Sequence, residues 1–269
     1  MSEHTEIAWC DATFNPWWGC RKVSPACDFC YAEKFAAWIA PGLWDTAKRR
    51  TFGDKHWSEP LRWARKLPAK LGRRPRVFCA SMADVFDKEA PPGARERLWD
   101  LIRATPELDW LLLTKRIGNV RRMLPDAWRT RGMPDNVWLG ITVVNQDEAD
   151  RDIPKLLAIR ARVRFLSIEP MLGPIDLAGK FQHCPVHDFD GGFCVQDCGN
   201  WQWIGWTIVG GESGARARPM AADWCWSLLE QCTAAEVPYF FKQGSAANWP
   251  SFKDFASFPE GLRVREFPA

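Results

Sequence analysis

Three cysteines stand close together early in the chain, Cys20, Cys27 and Cys30, spaced Cys-x6-Cys-x2-Cys. Three thiolates on one short loop can cap three corners of a cubane 4Fe–4S cluster and leave one iron without a protein ligand. That open iron can bind a substrate or a cofactor. Gly19 and Pro25 favour the loop such wrapping needs. Two other readings compete: a zinc site completed by Cys10 or a histidine, and three unrelated buried thiols. A second group follows downstream, Cys184-x2-His187 and Cys194-x3-Cys198, joined through Gly191-Gly192. Three thiolates and one imidazole form a closed tetrahedral zinc set, with His183 as an alternative to His187. This insert, 179–202, is short and polar, so a zinc ion would supply its folding energy. A second iron–sulfur cluster and metal-free cysteines are the alternatives. Of four histidines, two fall in this insert, leaving His4 and His56. That scarcity argues against a histidine-dependent hydrolase.

The middle of the chain must position these groups. Nearly continuous apolar runs at 76–81, 109–114, 137–142, 164–168, 203–210 and 237–242 read as strands covered on both faces. Amphipathic stretches at 32–40, 92–104, 145–158 and 221–235 read as helices, the third capped by Asn145. Alternating strands and helices imply parallel pairing through crossovers, in an incomplete barrel or an open doubly wound sheet. One α/β domain over 1–269 is expected, ending in an irregular tail, 246–269, packed by Trp249, Phe252, Phe255 and Phe258. Each strand exits into polar residues: Ser81 and Asp84; Thr114, Lys115 and Arg116; Thr142 and Asn145; Ser167 and Glu169; Gly210, Gly211 and Glu212; Lys242 and Gln243. Carboxyl ends of parallel strands gather ligands, so these exits are candidates for one shared pocket. Glu169, Glu212 and Lys242 are its catalytic candidates; Ser81, Asp84, Lys115, Arg116, Thr142, Asn145, Ser167, Gly210 and Gly211 its cofactor-binding candidates.

The motifs resemble a known family. Asn15-Pro16, Gly19-Cys20, Cys27-Asp28-Phe29-Cys30-Tyr31-Ala32, Leu113-Thr114-Lys115-Arg116, Ser167-Ile168-Glu169-Pro170, Gly210-Gly211-Glu212-Ser213-Gly214 and Phe241-Lys242-Gln243 are similar to those of the phage-associated three-Cys-motif family. That family is a divergent branch resembling radical S-adenosylmethionine proteins, and the likeness runs from residue 9 to about 244. The gap of six residues after Cys20 is longer than usual, and Ala80-Ser81-Met82-Ala83-Asp84 stands where a Gly-Gly-Glu-like turn is common. The resemblance implies a partial (β/α)6 barrel of the radical-SAM type. It implies a 4Fe–4S cluster on Cys20, Cys27 and Cys30 whose open iron chelates S-adenosylmethionine. An electron donor would reduce it, giving a 5′-deoxyadenosyl radical that abstracts hydrogen from substrate. By analogy Ser81 and Asp84 would meet the methionine ammonium, and Lys115 or Arg116 its carboxylate. Glu169 and Glu212 would bind ribose hydroxyls or polarise substrate.

Composition sets outer bounds. With 46% hydrophobic and 26% charged residues, the chain is of ordinary globular type. Its apolar runs fall far short of the roughly 20 residues of a membrane helix. The first residues do not read as a secretory signal, so the expected setting is the cytoplasm, or the host cytoplasm if phage-encoded. Net charge is only +3, and 17 tryptophans stand against two tyrosines. Residues 57–76 carry Arg62, Arg65, Lys66, Lys70, Arg73, Arg74 and Arg76 between Trp57 and Trp63, with Lys48-Arg49-Arg50 upstream. Such interleaving suits a nucleic acid or nucleotide substrate; a solvated helix face is the plainer reading. The leading expectation is therefore a radical-SAM-like enzyme. The rival is a non-catalytic, metal-stabilised nucleic-acid-binding or partner protein of phage or mobile-element origin.

Overall fold

The apolar runs fold into buried parallel strands. The computed structural model describes residues 5–183 and 202–269, and the chain divides into two compact units, Met1–Gly140 and Ile141–Ala269.

In the first unit, strands β1 (Ala12–Thr13), β2 (Arg76–Cys79) and β3 (Asp109–Thr114) pair in parallel, with Ala12 beside Val77 and Val77 beside Trp110. Strand β4 (Val137–Thr142) comes next in strand order and runs through the division between the units. Six helices intervene: α1 (Tyr31–Ile39), α2 (Asp54–Trp57), α3 (Glu59–Leu71), α4 (Ala94–Arg103), α5 (Ile117–Met123) and α6 (Asp126–Arg131). Fully buried Phe14 meets Trp57 and Trp110 edge-on at 5.4 and 5.7 Å, the favoured geometry for aromatic rings. Helix α3 turns Trp63 and Leu67 inward, so Trp57 and Trp63 are core residues and form no stacking surface. Several cations of that stretch are paired: Arg62 with Glu59, Arg73 with Asp11, Arg74 with Asp109.

In the second unit, β5 (Val163–Ile168) is followed by a short antiparallel pair, β6 (Gln182–His183) and β7 (Gln202–Trp203). Strands β8 (Trp206–Gly210) and β9 (Tyr239–Gln243) then extend β5 in parallel. Helices α7 (Gln146–Leu157) and α8 (Ala222–Ala234) complete it. The apolar run 203–210 divides, its first residue joining β7. Asn145 does cap α7, accepting the Glu148 N–H at 2.9 Å, while Glu148 accepts the Val144 N–H at 3.1 Å. The tail is tied to the sheet. Its 264–266 segment bridges β9 antiparallel, Phe241 N–H donating to Val264 O and Glu266 N–H to Tyr239 O, which covers an exposed strand edge. Phe258 closes over Phe241 at 5.0 Å. Among the described residues no helix is long and apolar enough to cross a membrane.

Candidate functional site

The cysteine loop is anchored by backbone before its thiols matter. Asn15, fully buried after β1, accepts the Met82 N–H at 2.6 Å and donates to Ser81 Oγ at 3.0 Å. His56 donates its Nε2–H to the Asn15 carbonyl at 2.7 Å and stacks on Phe52 at 4.1 Å. Gly19 donates to Met82 O at 3.0 Å and has φ +111°; a Cβ there would meet Leu43 O and Lys48 O at 2.9 Å. Only glycine suits that backbone and that closeness. Ser24 caps a short 3₁₀ turn, Pro25–Cys27, and Cys30 stands at the N-terminus of α1. These contacts fasten the chain just before Cys20 to the 81–82 turn.

At the carboxyl ends of β2 and β3 a buried network meets Cys20. Asp84 accepts the Phe86 N–H at 2.9 Å, the Thr114 hydroxyl at 2.8 Å, the Lys115 N–H at 3.0 Å and Arg116 Nη1 at 3.1 Å. The same guanidinium donates to Cys20 Sγ at 3.4 Å and to Arg21 O at 2.8 Å. Burial pushes the Cys20 thiol up to about 11, against the opposing pull of Arg116. Of the residues singled out in this unit, Asp84, Arg116 and Cys20 come together directly, and Ser81 joins through Asn15. Lys115 contributes its backbone N–H. A second brace lies beside them. Arg49 is buried and pairs with Asp87 at 2.6 Å and Glu89 at 2.9 Å, and Arg21 pairs with Glu89 at 2.8 Å. In the sequence Arg49 looks like one more member of a surface charge run; its burial has no local signal. A cleft of about 380 Å³ lined by Arg21, Lys22, Asp87, Glu89 and Arg116 opens there.

The second unit gathers its own strand ends. Lys242 Nζ lies 2.8 Å from Glu169 Oε1, and Ser167 donates to Glu169 Oε2 at 3.3 Å. Gly210 faces the same carboxylate: a Cβ there would lie 3.1 Å from Glu169 Oε1. Among the described residues the buried Thr142 hydroxyl at the end of β4 has no hydrogen-bond partner. Glu212 is differently engaged. Both its oxygens receive the Arg218 guanidinium, and one also the Arg218 N–H at 2.7 Å, which pins the 212–218 loop. Gly211 serves packing, since a Cβ would lie 2.4 Å from Ser245 N. Asn145 caps α7, as described.

The seven described cysteines form no disulfide with one another. Cys27 is buried and Cys20 and Cys30 are half-buried, while Cys79, Cys225 and Cys232 lie in the core. Among the described residues no group of three His, Cys, Asp or Glu side chains converges on one point suited to a single metal ion. A cubane assigns each thiolate to a different iron and asks for no such convergence. The loop offers the donor types a cubane takes, three cysteine thiols within eleven residues, with the Arg116 guanidinium beside Cys20. Cys184, His187, Cys194 and Cys198 lie outside the described residues.

Fold and site together define a class: a parallel α/β chain carrying a three-thiol loop fastened at its strand exits. The chain belongs to the family described as "Protein of unknown function (DUF5131)", whose model matches residues 4–255. No curated protein and no solved structure matches the chain.

Proposed function

We propose that the protein is an iron–sulfur enzyme of the radical S-adenosylmethionine type, built on a partial (β/α)6 barrel and related to the three-Cys-motif proteins. The observation that carries this reading is the contact of Arg116 with both Cys20 Sγ and Asp84, which ties the thiol loop to the exits of β2 and β3. Cys20, Cys27 and Cys30 would hold the cluster. When bound, it would supply the electron that reductively opens the sulfonium of S-adenosylmethionine.

The chain's own residues do the rest. Arg116 offsets thiolate charge at Cys20, and Asp84, itself fixed by the Phe86 and Lys115 N–H groups and the Thr114 hydroxyl, accepts from that guanidinium. Asn15 and His56 fix the turn at Ser81–Met82 beneath the loop. In the second unit Lys242 and Glu169 form a charged pair able to orient a polar substrate group, with the buried Thr142 hydroxyl as a further contact. Glu212 acts as a positioning residue through Arg218. A nucleic acid or nucleotide would be the substrate, and the insert's Cys184, His187, Cys194 and Cys198 would take zinc. A cytoplasmic setting, where thiols stay reduced, suits both metal sets.

The test is S-adenosylmethionine cleavage by anaerobically reconstituted protein under dithionite, with 5′-deoxyadenosine quantified by chromatography. Cys20→Ala, Cys27→Ala and Cys30→Ala should each abolish it. Cleavage that persists in any one of them, or is absent from the iron-loaded parent, overturns the assignment.

A further inference from the structure

Helix α1 is amphipathic in the reverse of the usual sense. Its inward face is small: Ala32 and Ala36 pack on Met82, with Trp18, Cys30 and Trp44 around them. Its large side chains point outward. Tyr31 is 51% exposed, Phe35 48% and Trp38 83%, and Ile39 is exposed beside them. At positions i, i+4, i+7 and i+8 these four form one stripe. Scattered exposed apolar residues are ordinary, but a contiguous aromatic stripe on one helix marks an interaction surface.

The stripe continues past the helix. Phe35 meets Trp18 edge-on at 6.2 Å, Trp18 meets Phe52 at 5.7 Å, and Phe52 stacks on His56. Arg50 crosses this ridge, its guanidinium 5.1 Å from the Trp18 ring and 5.5 Å from Phe52. Lys34 on α1 and Lys48 beside Arg50 are exposed. The ridge thus combines exposed aromatic rings on α1 with cations near it: Lys34 on the same helix, and Arg50 over Trp18, which Phe35 meets. A protein partner's apolar face would answer the rings but leave the cations unmatched. Unpaired bases with their phosphates answer both, through stacking and charge neutralisation. A duplex hides its base faces and cannot use the rings.

We propose that Tyr31, Phe35 and Trp38, with Lys34, Lys48 and Arg50, form a binding ridge for single-stranded nucleic acid. This surface is distinct from the basic 57–76 stretch, whose tryptophans are buried. Binding here needs no cluster chemistry, so it stands or falls apart from the activity assigned above.

The experiment is fluorescence anisotropy of a labelled oligothymidylate with the full-length protein, alongside its duplex with oligoadenylate and across a salt series. The parent should bind the single strand more tightly than the duplex. Trp38→Ala should weaken single-strand binding about 10-fold, the loss of one stacked base, and Trp38→Phe should restore most of it. Lys34→Ala should reduce the slope of log affinity against log salt by about 0.7. Trp38 is so exposed that its removal should leave the circular dichroism spectrum and melting temperature unchanged, which separates lost binding from lost folding. Equal affinity in Trp38→Ala and parent overturns the proposal. So does a parent that ignores the single strand but dimerises in light scattering through Trp38, since the face would then belong to a second copy.

Discussion

Replacing Asp84 by Asn tests whether the Asp84–Arg116 network holds the cysteine loop. The carboxylate is buried and receives four donors, one of them the guanidinium of Arg116, itself almost enclosed. An amide of the same shape keeps one acceptor oxygen but turns an NH₂ toward donors and removes the charge that balances Arg116. Breaking a buried ion pair from one side costs about 3–5 kcal/mol; retained hydrogen bonds place this isosteric change near the lower end, about 3 kcal/mol. For a unit the size of Met1–Gly140, an unfolding entropy of about 2.1 cal/mol/K per residue gives about 0.3 kcal/mol/K, so the melting temperature should fall by about 10 °C. The assay is thermal unfolding of cluster-free protein by circular dichroism. Arg116→Gln alone should also destabilise. The double variant should lose about 1–2 kcal/mol less than the two singles added, because neither charge is then left without its partner. A fall of less than about 2 °C in Asp84→Asn, or strict additivity in the double variant, would refute the reasoning.

Three further outcomes follow from particular contacts. Burial holds His56 below its usual pKa of 6.5. The unfolded chain therefore binds the proton more readily, and stability should decline as pH falls from about 6.5 through the lowered folded value. Melting curves at pH 7 and pH 5 should show a smaller drop for His56→Gln than for the parent; an equal drop contradicts this. Gly211→Ala sets a Cβ against Ser245 backbone and should cost about 3 kcal/mol in chemical denaturation, whereas Gly210→Ala, with its nearest backbone atom at 3.5 Å, should cost about 1 kcal/mol. Equal costs would show that neither close approach matters. Lys242→Met leaves the Glu169 carboxylate without its cation and should destabilise by about 1–2 kcal/mol, with Lys242→Arg near the parent; a neutral Lys242→Met would place the pair outside the folded framework.

Much of the fold is legible in the chain because strand burial on both faces leaves continuous apolar runs. Those at 109–114 and 137–142 match β3 and β4 end to end. Asn145 reads correctly as a cap because its partner lies three residues away. Strand β1 escapes notice: two residues are too few for a period, and its partner lies more than sixty residues away. The division within 203–210 is invisible because Trp203 is as apolar as Trp206, and only the antiparallel pairing with Gln182 separates them. At the site, residue types announce the cysteines and the strand-exit carboxylates, but not which carboxylates are already occupied. Glu169 and Glu212 look alike in sequence, yet one faces Lys242 and the other closes on Arg218. Arg49 and Arg50 are adjacent, yet one is buried between Asp87 and Glu89 and the other lies over aromatic rings. Such differences depend on long-range packing, which no local pattern records.

The central claim is that Cys20, Cys27 and Cys30 hold a cluster with one open iron. Electron paramagnetic resonance of the anaerobically reconstituted, dithionite-reduced protein, with and without S-adenosylmethionine, tests it most directly. The account predicts a 4Fe–4S signal that changes shape when S-adenosylmethionine is added and is missing from Cys20→Ala. A signal indifferent to S-adenosylmethionine, or a protein that takes up no iron, would contradict it.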